Sequence, residues 1–300
     1  ALWCGVREAD GEWLLFTDAD CRQDSPRTLS MAVREAVAHE ADFLCITPTL
    51  VSETIWERII QPVCTTALMT WFLPHRVNNP RRRTAYANGA FMLIRRNCYD
   101  AIGGHHSVKE ELNEDIQLAR RAKEAGFTLR VVENDGLYHT RMYDTFGQAW
   151  RGWSRIFYGS LRSPAKLLAG ALLLLVMSVM PRASLIVALL GTFGTEASHA
   201  AWTWAVIAWG SAAVLEQAVM ARVYSLLRAG ALWSITDPLG AAVVVGMQLN
   251  ALGKALGLSG TVWRGTAYAA RSATQPSADA TPPVKEAPAP SVDPLSRTRF

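Results

Sequence analysis

Two carboxylates separated by one small residue, Asp18-Ala19-Asp20, stand directly after the apolar run Trp13-Leu14-Leu15-Phe16-Thr17. A short apolar run bounded in this way reads as a buried strand. Its acids then project from the strand's C-terminal end, on an exposed edge where hard oxygen ligands can reach a divalent cation. Mg²⁺ or Mn²⁺ bridging a diphosphate is the natural client of such a pair, although the same triplet also occurs on solvated turns.

Two further groups carry chemistry. Glu114-Asp115 opens a segment of helical pattern, where free backbone N–H groups favour an ionised carboxylate and provide a candidate base. The plain alternative is ordinary charge at a helix N-terminus. Gln148-Ala149-Trp150-Arg151-Gly152-Trp153 offers an amide, a guanidinium and two indoles. Arginine can hold phosphate with two parallel hydrogen bonds and tryptophan can stack on a sugar. Trp150 also suits a membrane-interface belt, so active-site roles fall to Gln148, Arg151 and Trp153. His139 offers a further metal or phosphate contact, but a lone histidine in a polar loop more often has a structural role. His105 and His106 rank below it.

The elements that must position these groups alternate. The pattern predicts a helix over residues 2–9, then a helix begun by Ser25-Pro26 as N-cap and first helical residue and ending near His39. Strands are expected over residues 43–47, 89–94 and 128–132, and a helix over 112–125 stopped by Gly126. A long apolar helical stretch over residues 53–72, interrupted by Pro62, could lie on a membrane surface. The alternation implies an α/β sheet with helices on both faces.

Beyond residue 144 the composition changes. Phe146, Trp150, Trp153, Phe157 and Leu161 recur every three or four residues with Arg151, Arg155 and Arg162 interleaved, the pattern of an interfacial amphipathic helix over 145–165. Three apolar blocks follow between residues 166 and 260, each long enough to cross a bilayer. They cover 167–193, 200–220 and 238–258, with Trp202, Trp204, Trp209 and Trp233 suited to the interface. The first block contains Pro181-Arg182, which leaves open whether it is one span or a hairpin. Arg162 and Lys166 before the first block, and Arg222 and Arg228 after the second, favour a cytoplasmic catalytic lobe and an outer loop without Lys or Arg near residues 195–199. Residues 261–300 form a tail, rich in Pro, Ala and Ser and expected to be disordered from about residue 272.

The net charge of +4, with its basic residues dispersed, argues against nucleic acid and leaves a membrane surface as the better partner. Five cysteines without a C-x-x-C pair indicate neither a disulfide framework nor a zinc site, and reduced thiols are expected. A transporter would place ionisable residues inside the spans. Arg182 and Glu216 have neighbours that suggest helix ends or a turn instead.

Taken in order, Asp18-Ala19-Asp20, Glu114-Asp115 and Gln148-Ala149-Trp150-Arg151 resemble the D-x-D, acidic dyad and Q-x-x-R-W series of the family 2 glycosyltransferases, over residues 1 to about 165. Gly152 departs from that pattern and displaces the tryptophan to 153, which rotates it by about 100° on a helix. Asn88 to Arg96, Arg141-Met142-Tyr143 and Trp263-Arg264-Gly265 are similar to membrane-bound ceramide-glucosyltransferase-like and hopanoid- or carotenoid-associated members.

The resemblance implies a GT-A, Rossmann-like α/β domain over residues 1–144, followed by transmembrane helices. The implied reaction is inverting transfer from a nucleotide-sugar, UDP-linked or related, to a lipid acceptor, at the plasma (inner) membrane. It implies Asp20, assisted by Asp18, on the cation and Asp115 as the base. Glu114, Gln148, Arg151, Trp153, Asn88 and Gly89 are then expected around donor and acceptor. A GT-A domain ordinarily starts with further strands that hold the nucleotide base, so the chain is expected to be a fragment of one. The alternatives are a processive polysaccharide synthase of the same family and a non-catalytic membrane scaffold.

Overall fold

The computed structural model describes residues 2–193, 199–258, 261–263 and 266–268. Its first lobe runs α1 (Leu2–Glu8), β1 (Trp13–Phe16), β2 (Cys21–Gln23), α2 (Thr28–Ala38), β3 (Phe43–Ile46), β4 (Thr49–Leu50), α3 (Ile55–Met69) and α4 (Pro74–Val77). It continues through β5 (Met92–Arg95), α5 (Arg96–Ala101), a 3-10 turn (Gly104–Val108), α6 (Glu114–Glu124), β6 (Leu129–Val132) and β7 (Tyr138–Thr140). The four longer strands form one sheet in the order β1-β5-β3-β6. In it β5 is antiparallel to β1 and β3, while β3 and β6 are parallel.

Successive strand side chains face opposite sides, and here both sides are buried. Phe43, Cys45, Met92, Ile94, Leu129 and Val131 enter the main core with Ile60, Val63 and Ile116. Leu44, Ile46, Phe91 and Leu93 enter a smaller core closed by Ala32 and Ala36 of α2. With apolar residues on both faces, polarity alone sets strand register weakly. Polar groups at the sheet's end supply the missing constraint: the Asp42 carboxylate accepts from the Thr128 N–H at 2.9 Å, and the Glu12 carboxylate accepts from Arg95 at 2.6 Å.

A second sheet, β2-β7-β4, has strands of only two or three residues, too short to leave a periodic signal. The expected start of α2 moves as well. Ser25-Pro26 forms a turn, not a cap: the Ser25 carbonyl accepts from the Thr28 hydroxyl at 2.8 Å, and the helix begins at Thr28 without a side-chain cap.

The second lobe comprises α7 (Phe146–Leu161), α8 (Pro164–Leu174), a π-helical turn (Leu175–Val179), α9 (Met180–Gly191), α10 (His199–Leu226), a 3-10 turn (Ala231–Thr236) and α11 (Asp237–Ala255). A two-stranded hairpin, β8 (Thr261–Trp263) with β9 (Thr266–Tyr268), follows. Three helices are long and apolar enough to cross a membrane: Pro164–Gly191, His199–Leu226 and Ala231–Ala255. The first is one continuous helix and not a hairpin. Pro181 lacks an N–H and crowds the preceding turn, and the π-helical turn over Leu175–Val179 absorbs that misfit.

Arg182 and Glu216 do not mark helix ends. They pair at 2.5 Å between the spans, and Arg182 also donates to the Ser178 carbonyl at 2.7 Å. Nor does α3 lie free on a membrane surface. Its Ile59, Ile60, Val63 and Cys64 are buried, and α11 packs against it so tightly that a Cβ at Gly240 would sit 2.5 Å from the Ile59 carbonyl oxygen. The expected outer loop near 195–198, Arg264, Gly265 and the tail from residue 272 lie outside the described residues.

Candidate active site

Antiparallel pairing of β1 with β5 decides where the chemistry collects. Phe16 stands opposite Met92, so the residues leaving β1, Thr17 to Asp20, run beside those entering β5, Asn88 to Ala90. The Thr17 hydroxyl donates to the Ala90 carbonyl at 2.9 Å, and the Asn88 side chain closes a tight turn by accepting from the Ala90 N–H at 2.9 Å. Gly89 lets this turn approach the acids, since a Cβ there would lie 3.4 Å from the Asp18 carboxylate. Beneath the turn, Cys45 accepts from the Asn88 N–H at 3.1 Å. Burial pushes its thiol up to about 12, so it packs there as a neutral group.

The same turn reaches the second acidic group. Asp115 Oδ2 accepts from the Gly89 N–H at 3.1 Å, and Oδ1 accepts from the Ile116 N–H at 2.7 Å. Burial, then the neighbouring Glu114 and Asp18 charges, push its carboxyl up to about 7, against the opposing pull of the two N–H donors. Asp115 is thereby poised between its acid and base forms near neutral pH.

These groups share a cleft of about 1350 Å³. Asp18, Asp20, Asn88, Gly89, Glu114, Asp115 and Trp153 all line it. Leu68 and Met69 of α3 and Val223, Leu226 and Leu227 at the end of α10 also line it, so a membrane-length helix contributes an apolar part of the wall. Gln148 and Arg151 are exposed and do not line it. Gln148 instead accepts from the Asp144 N–H at 2.9 Å, closing the turn into α7. Arg151 lies back over Gly147, where a Cβ would meet its guanidinium at 3.4 Å.

Among the described residues no three His, Cys, Asp or Glu side chains gather as a metal cage. Asp18 and Asp20 still suit a Mg²⁺-like cation, which commonly takes one or two carboxylates and completes its shell with substrate phosphates and water. His139 does not line the cleft and pairs at 2.7 Å with Asp24, the residue that follows β2. His105 does line the cleft, and burial lowers its pKa.

The profile of glycosyl transferase family group 2 matches residues 13–244, a stretch that contains every strand of both sheets of the first lobe and the first two membrane-length helices. The chain belongs to this family. Among solved structures, the chain is similar to the mannosyltransferase PcManGT from Pyrobaculum calidifontis in complex with GDP-Man and Mn²⁺. The identity is 16% and the TM-score 0.43, over 85% of this chain and 64% of that one, so the chain spans less than two thirds of that protein's length. No curated protein sequence matches it.

Residues that the motifs did not single out also line the cleft. Arg155, one turn beyond Arg151, lines the cleft, as does Arg228 just after α10, and Tyr143 lines it beside Arg155. The Tyr143 ring also explains the glycine that interrupts the motif, because a Cβ on Gly152 would fall 2.1 Å from the Tyr143 hydroxyl oxygen. Gly152→Ala is therefore expected to destabilise the lobe by roughly 1–3 kcal/mol through overpacking. Thermal unfolding in detergent would register the loss, and Tyr143→Ala in the same chain should relieve most of it. Equal melting temperatures for wild type and Gly152→Ala would show that the contact has no such weight.

Proposed function

We propose that this glycosyltransferase moves a sugar, with inversion at the anomeric carbon, from a nucleotide-sugar donor, UDP-linked or related, to the hydroxyl of a membrane lipid. One observation carries the reading: Asp18, Asp20 and Asp115 face the same cleft whose apolar wall includes the end of the membrane-length helix α10. A donor diphosphate belongs at the acidic end and a lipid along the apolar wall.

In this reading Asp115 accepts the proton of the acceptor hydroxyl as the new glycosidic bond forms and the bond to the leaving diphosphate breaks. The Gly89 N–H holds the Asp115 carboxylate in place, and its ionised form predominates once the pH exceeds about 7. Asp20 and Asp18 would hold Mg²⁺ or Mn²⁺, which supplies a counter-charge for the leaving group. Trp153 flanks the sugar. Its buried Nε1–H has no acceptor among the described residues and is available to a substrate hydroxyl. Arg155 takes the phosphate-facing place that the motif offered to Arg151, while Gln148 keeps the turn into α7 closed.

The proposed organisation is a catalytic lobe over 1–144, a connecting interfacial helix over 145–165, and membrane helices over 166–260. The catalytic lobe faces the cytoplasm from the inner membrane. Arg162, Lys166, Arg222 and Arg228 cluster toward the lobe-proximal ends of the first two spans, as positively charged cytoplasmic flanks do, and the Lys166 ammonium lies 5.8 Å from the Trp71 ring of the catalytic lobe.

The test is transfer of labelled sugar by the full-length protein in native membranes, from a panel of nucleotide-sugars, with and without Mn²⁺ or Mg²⁺. The expected product is a glycolipid carrying one added sugar, extractable into organic solvent. A water-insoluble polymer would favour the processive synthase reading instead. Absence of transfer from every donor would leave the scaffold reading in its place.

A further inference from the structure

Asp115 is held on one side by Gly89, and a second clasp holds the chain two residues before it. Asn113 occupies the N-cap position of α6, where an Asn side chain ordinarily accepts from the helix's own first N–H groups. Here it makes no such cap. Its amide turns the other way, donating to the Ser160 hydroxyl at 2.8 Å and to the Ile156 carbonyl at 3.3 Å, both on α7.

The receiving surface is shaped for it. A Cβ on Gly159 would sit 2.6 Å from Asn113 Oδ1, so only glycine leaves room for the amide. Asn113 is 7% exposed and Ser160 0%. Two neighbouring bonds reinforce the junction: Arg120 donates to the Ser160 carbonyl at 3.1 Å, and Arg155 reaches the Leu112 carbonyl at 3.5 Å. A buried amide directed away from its own helix forgoes a cap worth about 1 kcal/mol. The arrangement therefore favours fixing α6 against α7 over stabilising α6 itself.

We infer that Asn113 is a positioning residue: through Ser160 and Gly159 it sets the N-terminus of α6 against α7 and so fixes where the Asp115 carboxylate stands in the cleft. The inference rests on the proposed role of Asp115. It adds that the placement of this base depends on the seating of α7, the helix that leads into the first span and packs on α11.

A displacement of the reacting groups by about 1 Å costs on the order of 10²-fold in rate. Asn113→Ala in the full-length protein is thus expected to lower kcat roughly 10–100-fold while the donor KM stays within about twofold, the mark of an interaction used in the transition state. Ser160→Ala, which removes only a hydroxyl, should act in the same direction more weakly. The double variant should lose no more than Asn113→Ala alone, because both act through one bond. A kcat per folded molecule within twofold of wild type for Asn113→Ala would overturn the inference, as would losses that multiply in the double variant. Wild-type protein that transfers no sugar from any donor would overturn the proposed function and this inference together. Active wild type matched by an equally active Asn113→Ala would remove the inference alone.

Discussion

Asp115→Asn is expected to lower sugar transfer by about 10³-fold, within the range that a positioned general base contributes, while the protein still inserts and folds. The amide is nearly isosteric with the carboxylate. Its oxygen can keep the Gly89 N–H bond that spans 3.1 Å in the native chain. What disappears is the capacity to take a proton from the acceptor, together with the oxygen that accepts from the Ile116 N–H. Wild-type activity should fall as the pH drops below about 7, because burial, Glu114 and Asp18 place the acid–base transition there. Turnover of purified Asp115→Asn within tenfold of wild type would remove Asp115 from the base's role.

The same substitution has a stability consequence of definite sign. A carboxyl raised from 3.8 to about 7 binds its proton more tightly in the folded chain than in the unfolded one. Its contribution is therefore fully present below pH 4 and is lost as the pH rises through 7. At 1.36 kcal/mol per pH unit the ionised group costs the fold on the order of 4 kcal/mol at pH 8. Asparagine cannot ionise and avoids that cost, which exceeds the roughly 1–3 kcal/mol of leaving the Ile116 N–H without its acceptor, so Asp115→Asn should melt higher than wild type at pH 8, with the gap closing toward pH 5. A gap that widened on acidification would contradict the raised pKa.

The acids were legible in the sequence because each stands at an abrupt boundary. Asp18 and Asp20 end an apolar run, and Glu114 and Asp115 open a helix. The alternation of strand and helix likewise exposed the main sheet, since residues 43–46 and 92–94 are apolar on both faces. The β2-β7-β4 sheet was invisible because a pairing of two or three residues has no period to detect. Arg155 was hidden by its neighbours: Arg151 fits the motif's spacing, and only the packing of α7 decides which guanidinium faces the cleft. The glycine at 152 was readable as a departure, but its cause, the Tyr143 ring nine residues earlier, is a tertiary fact.

The membrane lobe divides in the same way. Length and hydropathy reveal the three long helices, yet Pro181-Arg182 looks locally like a turn. Only the π-helical accommodation and the pairing of Arg182 with Glu216 make it the middle of a span. Glycines 240 and 246 carry no hydropathy signal that separates them from lipid-facing positions. Their function is close approach, since a Cβ at Gly246 would lie 2.7 Å from the Trp150 ring.

Asp20→Ala should cost roughly 10²–10³-fold in transfer, the range seen when one preorganised electrostatic contact to developing charge is removed. It should differ from Asp115→Asn in kind. Asp20 is exposed at the cleft's edge, so its removal leaves the core and the Asp115 contacts untouched. The lost group is a cation ligand, so the Mn²⁺ concentration giving half-maximal rate should rise and part of the lost activity should return at high Mn²⁺. No cation can rescue Asp115→Asn, because its defect is a missing proton acceptor. Asp18→Ala should resemble Asp20→Ala in cation dependence. It should also lower the pH at which Asp115 ionises, since the Asp18 charge is one of the forces raising it. If Asp20→Ala keeps the wild-type response to Mn²⁺ whatever its rate, the carboxylates after β1 do not hold the cation, and the acidic end of the cleft must bind the donor in another way.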